Sequence, residues 1–296
     1  MKLIFFGSSS FSISVLESLQ KRGITPSGIV TTPYAPQGRG REVKPNVVAL
    51  YAQFHNIPFL APQSIRGEHA IGTESSITAL GGEVFLVASY GKIIPKNILD
   101  LPDRGVLNIH PSLLPKYRGP SPMQSMILDE TLQKDGIGIS IMLLDEQMDH
   151  GPIVAQKVVQ PLAWPMKEES LELFMADEGA ALFSECISDW MNGTKEAIEQ
   201  NHDEATYTHK FSKEDARIQL TSLADTRDEH LHEEAFRKFC AFHRSPGVWF
   251  TDSHAGREIR VKITDVAMVG TMFTPLKVVP EGRKEMNYQD YLRGKK

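Results

Sequence analysis

Short apolar runs divided by amphipathic stretches set the pattern of the first two thirds of the chain. Lys2–Phe6, Gly28–Thr31, Ile57–Leu60, Val84–Ala88, Val106–Ile109, Gly136–Leu144 and Ile153–Val159 are each four to nine residues long and mostly apolar on both faces. Runs of that length bounded by Gly, Pro or Ser read as buried strands. Between them, Phe11–Lys21 carries Ile13, Leu16 and Leu19 on one helical stripe, after the candidate N-caps Ser8, Ser9 and Ser10. Val47–Phe54, Ser121–Asp129 and Glu168–Met191 also read as helices. Strand, turn and helix in alternation predict an α/β fold with a Rossmann-like, mostly parallel sheet. The first turn has a single glycine, in G-S-S-S-F, so the G-x-G-x-x-G dinucleotide fingerprint is absent.

From Asn192 to Tyr207 the pattern turns polar, which predicts a linker between a domain over 1–191 and a second over 208–296. In the C-terminal stretch Glu229–Phe242 reads as a helix, and alternating short strands follow as far as Lys277–Val279. Short strands with turns suggest a small barrel. One connection in the N-terminal stretch breaks the rhythm: Pro33–Pro45 is rich in Pro and Gly, carries Arg39, Arg41 and Lys44, and has no periodicity. It is far longer than the usual 2–6 residues of an α/β connection.

Composition narrows the class. A chain of 296 residues with 41% hydrophobic and 23% charged residues is that of an ordinary globular protein. No apolar run approaches the ~18 residues of a membrane span, and the N-terminal apolar run reads as a strand, not a leader. Cys186 and Cys240 are too few and too far apart for a disulfide framework or a zinc site, which fits a cytoplasmic setting. No His, Cys, Asp and Glu cluster has metal-ligand spacing. The net charge is −5, but residues 1–207 hold 16 Lys+Arg against 24 Asp+Glu, while residues 208–296 hold 16 against 13. A mildly basic C-terminal stretch on an acidic body permits an RNA partner without requiring one.

The chemistry concentrates in G-V-L-N-I-H-P-S-L-L-P-K-Y-R-G, residues 105–119. Alternation along the strand sends Asn108 and His110 to one face and Leu107 and Ile109 to the other. The pair then lies near the C-terminal end of a strand, where ligands bind in open α/β sheets. An amide beside an imidazole can polarise a carbonyl and move a proton. A carboxylate partner for the imidazole is expected from Asp145, Glu146 or Asp149, and spacing does not choose among them.

The segment from Asn108 to Pro122 resembles the formyltransferases that use 10-formyltetrahydrofolate. V-A-S-Y-G-K-I-I-P, residues 87–95, is similar to the segment with which that family lines its pterin pocket. Met148-Asp149-His150-Gly151 is similar to its M-D-x-G and selects Asp149. The resemblance thus implies Asn108, His110 and Asp149 as catalytic residues. It implies Leu86, Ser89, Tyr90, Gly91, Lys92, Ile93, Ser112, Leu113, Leu114 and Pro115 around the folate. The segments 205–218, 241–249 and 279–286 and the basic loop are similar to the branch that formylates methionyl-initiator tRNA for translation initiation. That branch implies an OB-like C-terminal RNA-binding domain and carries over Arg39 as a tRNA contact; the basic loop itself reads as a nucleic-acid contact through Arg39, Arg41 and Lys44, and no metal and a monomer are expected. The alternatives are a formyltransferase acting on a small amine, glycinamide ribonucleotide or an amino sugar nucleotide, and a tRNA-binding protein without activity.

Overall fold

The computed structural model describes the chain except residues 38–41, 68–69, 71, 134–135, 162, 221–227, 255–256 and 295–296. It falls into two compact units that are not contiguous in sequence. One comprises 1–119, 136–161 and 172–207; the other comprises 120–135, 162–171 and 208–296. The division expected near 192–207 is therefore interleaved: two excursions from the N-terminal stretch cluster with the C-terminal residues.

The first unit is built on a seven-stranded sheet. Its strands in chain order are β1 (Leu3–Phe6), β2 (Gly28–Val30), β5 (Phe59–Leu60), β6 (Val84–Val87), β7 (Val106–His110), β8 (Ile137–Leu143) and β9 (Ile153–Val159). A separate two-stranded ribbon, β3 (Ala35–Gln37) and β4 (Glu42–Lys44), interrupts that series. The spatial order of the sheet is β5-β2-β1-β6-β7-β8-β9. The five strands from β5 to β7 run parallel, and β8 is reversed, pairing antiparallel with β7 on one side and β9 on the other. Every residue of β1, β6 and β7 is buried, as parallel strands covered on both faces require.

Helix α1 (Ser10–Lys21) starts on a capping box between Ser9 and Ser12. Helix α2 (Val47–Phe54) is capped by the Asn46 side chain, which accepts from the amides of Val48 and Ala49. The short α3 (Thr73–Ala79) and the single turn α4 (Lys96–Leu99) have no signal in the periodicity. The long α6 (Glu168–Asn192), which follows α5 (Pro122–Leu128), lies against the sheet at Gly179. A Cβ there would come within 2.6 Å of Ile109 and 2.7 Å of Ile139. Only glycine admits that approach. It buries Ile109 on the helix side, so Asn108 and His110 face away from α6. Each such buried aliphatic stabilises by about 1.5–3 kcal/mol.

The described parts of the Pro33–Pro45 connection carry regular structure that its aperiodic sequence does not predict. Its ends form the antiparallel ribbon of β3 and β4, paired Ala35 to Lys44. Cross-strand pairing holds these short segments where side-chain periodicity gives no sign of them.

The second unit carries a four-stranded antiparallel sheet of β10 (Trp249–His254), β11 (Arg257–Val269), β12 (Met272–Pro280) and β13 (Met286–Asn287). Not all of these strands are short as expected, since β11 runs for 13 residues with a register shift near Asp265. In this unit α5 packs against α7 (Glu229–Phe242). The Arg237 guanidinium donates to the Ile127 carbonyl oxygen. A short C-terminal helix, Tyr288–Arg293, follows.

Candidate active site

Asn108 and His110 sit at the C-terminal end of β7, 8% and 4% exposed. His110 Nε2 lies 3.1 Å from the Tyr117 carbonyl oxygen. A carbonyl can only accept, so Nε2 carries the proton and Nδ1 is the basic nitrogen. Nδ1 faces Asp149 Oδ1 at 3.6 Å. Asp149 Oδ2 in turn accepts from the Gly119 amide at 2.7 Å. The structure thus brings His110 and Asp149 together and leaves Asp145 elsewhere, bonded to His150 Nδ1 at 2.7 Å. The Asn108 carboxamide makes no hydrogen bond with the described residues, so its two N–H donors are free on the strand face it shares with His110. A nearly buried amide with free donors is suited to hold a developing oxyanion.

Three non-glycine residues around this point adopt left-handed backbone: Ser89 (φ 52°), Tyr117 (φ 60°) and Asp149 (φ 51°). Such conformations persist only where surroundings over-determine them, and they cluster at functional sites. For Asp149 the constraint continues into Gly151, where a Cβ would collide with the Leu143 carbonyl oxygen. The glycine of M-D-x-G is required by this close approach to β8.

Residues expected around the folate divide by exposure. Ser89, Gly91 and Ile93 are exposed, Leu113 and Pro115 half-buried, and Leu86 and Ser112 fully buried with no side-chain surface to offer. Tyr90 turns inward, packing edge-on against Phe6 at 5.5 Å. Its hydroxyl has no partner among the described residues, and burial pushes its phenol up to about 12. Lys92 Nζ ties down the carbonyls of Pro62 and Gln63 at 3.3 and 2.9 Å, and partial burial lowers its pKa.

The residues that shape these loops carry only a faint mark in the sequence. Ser12 Oγ, which reads only as part of a helix start, donates to the Ala88 carbonyl at 2.6 Å, and Ser8 Oγ accepts from the Gly91 amide at 3.2 Å. The buried Ser140 Oγ donates to the Ser112 carbonyl and accepts from the amides of Leu114 and Gln156. Their signal is the serine-rich turn itself and a lone serine in an apolar strand. Of the expected RNA contacts, Arg39 and Arg41 lie outside the described residues. Lys44 is exposed on β4 and pairs with Glu42 at 2.9 Å. Among the described residues no group of His, Cys, Asp and Glu could hold a metal ion, and no helix is long and apolar enough to cross a membrane.

Residues 1–187 match the formyl transferase family. The methionyl-tRNA formyltransferase of Thermus thermophilus is 34% identical over 315 residues, spanning 99% of this chain and 96% of its own. Two solved structures share the fold. One is a methionyl-tRNA formyltransferase from Clostridium thermocellum (TM-score 0.57, 16% identity, 97% of this chain and 99% of that one). The other is an N-formyltransferase from Helicobacter canadensis in complex with folinic acid and dTDP-3-aminofucose (TM-score 0.55, 19% identity, 90% and 87%). With the full-length relative and the formyl transferase match together, the chain belongs to the methionyl-tRNA formyltransferase family.

Proposed function

We propose that the protein transfers the formyl group of 10-formyltetrahydrofolate to the α-amino group of methionyl-initiator tRNA. The observation that carries the chemistry is a free, nearly buried Asn108 amide on the strand face of His110, whose basic nitrogen lies 3.6 Å from Asp149. A bond forms between the amine nitrogen and the formyl carbon. The bond from that carbon to N10 of the folate breaks, and one proton passes from the amine to N10. Asn108 donates to the carbonyl oxygen as negative charge gathers on it. His110 Nδ1 takes the amine proton and returns it toward N10. Asp149 stabilises the imidazolium that exists between those steps. The donor supplies an activated one-carbon group. The exposed Ser89 and Gly91 and the half-buried Leu113 and Pro115 are the surfaces we assign to its pterin, where loop shape counts as much as side chains.

The charged Pro33–Pro45 stretch of sequence fits a macromolecular acceptor better than a small amine. Arg39, Arg41 and Lys44 gather on a connection that a small substrate gives no reason for, and arginine forks suit phosphates and base edges. We assign residues 208–296, with their positive balance, to the same RNA. The free thiols of Cys186 and Cys240, both buried, suit a reducing cytosol.

The test offers labelled 10-formyltetrahydrofolate to the protein with methionyl-initiator tRNA, glycinamide ribonucleotide, or an amino sugar nucleotide. Label on the tRNA is expected. Label on a small amine alone, or on nothing, refutes the assignment. Neutralising Arg39, Arg41 and Lys44 together is expected to weaken tRNA use and leave folate binding intact; unchanged formylation at low and moderate salt removes the loop from the site.

A further inference from the structure

Arg118 is the largest fully buried side chain of the molecule's described core, at 1% exposure. It is a cation, and no carboxylate among the described residues lies within ion-pair range of it. Its guanidinium donates instead to neutral acceptors: twice to Gln200 Oε1, at 3.1 Å from Nε and 2.6 Å from Nη2, and to the Tyr207 hydroxyl at 3.3 Å. Nη2 also meets His202 Nδ1 at 2.9 Å. Burying a cation without a counter-ion is costly and needs a compensating use.

The use is visible on the other side of Gln200. Its Nε2 donates to the carbonyl oxygens of Asp149 at 3.0 Å and Gly151 at 2.7 Å. The orientation of this amide is fixed by chemistry: a guanidinium only donates and a carbonyl only accepts, so Oε1 must face Arg118 and Nε2 must face the 149–151 backbone. Residue 119 then supplies the amide that holds the Asp149 carboxylate. Neighbouring residues of one loop therefore grip Asp149 at both ends, at its carboxylate directly and at its carbonyl through Gln200. The segment bearing Gln200 is itself fastened, by paired backbone bonds between Ile198 and Ile153 and by the Arg118 amide donating to Thr206. What the polar composition of 192–207 predicts as a linker is a built component of this site.

We propose that Arg118 and Gln200 are positioning residues for the reaction, holding Asp149 in left-handed backbone so that its carboxylate stays opposite His110 Nδ1. The proposal rests on the formyl transfer assigned above. Gln200→Glu is the informative variant. It keeps an acceptor for Arg118, and strengthens it by charge, while losing both donors to the Asp149 and Gly151 carbonyls. Gln200→Met, uncharged and similar in length, is the second variant should the added carboxylate prevent folding.

In folded variants kcat is expected to fall about 10- to 100-fold, as displacement of a catalytic group by around an ångström does. KM for both substrates should stay within about twofold. Their crystal structures should show Asp149 out of its positive φ and its bond to the Gly119 amide broken. Wild-type kcat in either folded variant, or a lost kcat with Asp149 unmoved, overturns the proposal. Absence of formylation by the wild-type protein would instead strike the assigned reaction, while the crystal structures would still report whether Gln200 sets Asp149.

Discussion

Asp149→Asn isolates the charge of the carboxylate from its shape. Asparagine keeps an oxygen to accept from the Gly119 amide, tolerates left-handed backbone, and leaves the Gln200 bond to the 149 carbonyl untouched. What disappears is a negative charge 3.6 Å from His110 Nδ1. Coulomb's law at that separation, with an effective dielectric of about 20 to 40 for a site one side of which meets solvent, gives about 2–5 kcal/mol. The interaction exists only while the imidazolium does, so the loss falls on the barrier and not on binding. At 1.36 kcal/mol per decade it is roughly a 50- to 2,000-fold fall in kcat with KM little changed. Single-turnover formylation of methionyl-initiator tRNA at saturating donor reads it directly, with a thermal melt confirming the fold. A folded Asp149→Asn enzyme within about fivefold of wild type would show that this carboxylate does not act through charge and that the proton passes elsewhere.

The remaining predictions concern the supports of the site. Gly151→Ala forces the 149–151 segment off the Leu143 carbonyl and should cost about 1–3 kcal/mol in urea denaturation, with kcat falling as well; an unchanged midpoint would mean that the turn can relax freely. Ser140→Ala strips partners from the Ser112 carbonyl and the Leu114 amide at once, and should cost about 2–4 kcal/mol while raising KM for the formyl donor more than KM for the tRNA. Tyr90→Phe removes a buried hydroxyl without a partner among the described residues and should stabilise by about 1 kcal/mol at neutral pH. Because burial holds that phenol neutral to about 12 while the unfolded chain ionises near 10, the folded value is the raised one. Ionisation of Tyr90 therefore leaves native stability untouched below pH 10 and lowers it as pH climbs from 10 toward 12; denaturant midpoints across that window should fall less steeply in the variant.

How much can be read in advance depends on whether a residue acts through local pattern or through distant partners. Val47–Phe54, Ile153–Val159 and Glu229–Phe242 have the bounds their periodicity predicts, because a buried stripe or run is written in neighbouring residues. Asn108 and His110 are legible for the same reason: strand alternation alone puts them on one face. Asp149 is not, since spacing leaves Asp145 and Glu146 equal to it and only the family resemblance separates them. The ribbon at 35–37 and 42–44 is held by cross-strand backbone bonds that leave no trace in side-chain pattern. Gln200 is the hardest to see. It lies among polar residues that read as a connector, and its role comes from partners 51 and 82 positions away.

The interleaving of the two compact units has a consequence for how the protein comes to exist. The chain passes from one unit to the other at 119/120, 135/136, 161/162, 171/172 and 207/208. Helix α5, with Met126 and Ile127 buried, packs against helix Glu229–Phe242. On a ribosome adding about 5–20 residues per second, the roughly 100 residues between these helices take about 5–20 s to appear. Through that interval α5 is synthesised but uncovered, and a nascent chain can complete the sheet of its first unit well before the second closes. Cutting the gene at residue 207 would make the interval permanent: the truncated product would keep the whole candidate active site and still display an orphaned apolar helix, so its failure would show as aggregation and not as lost chemistry.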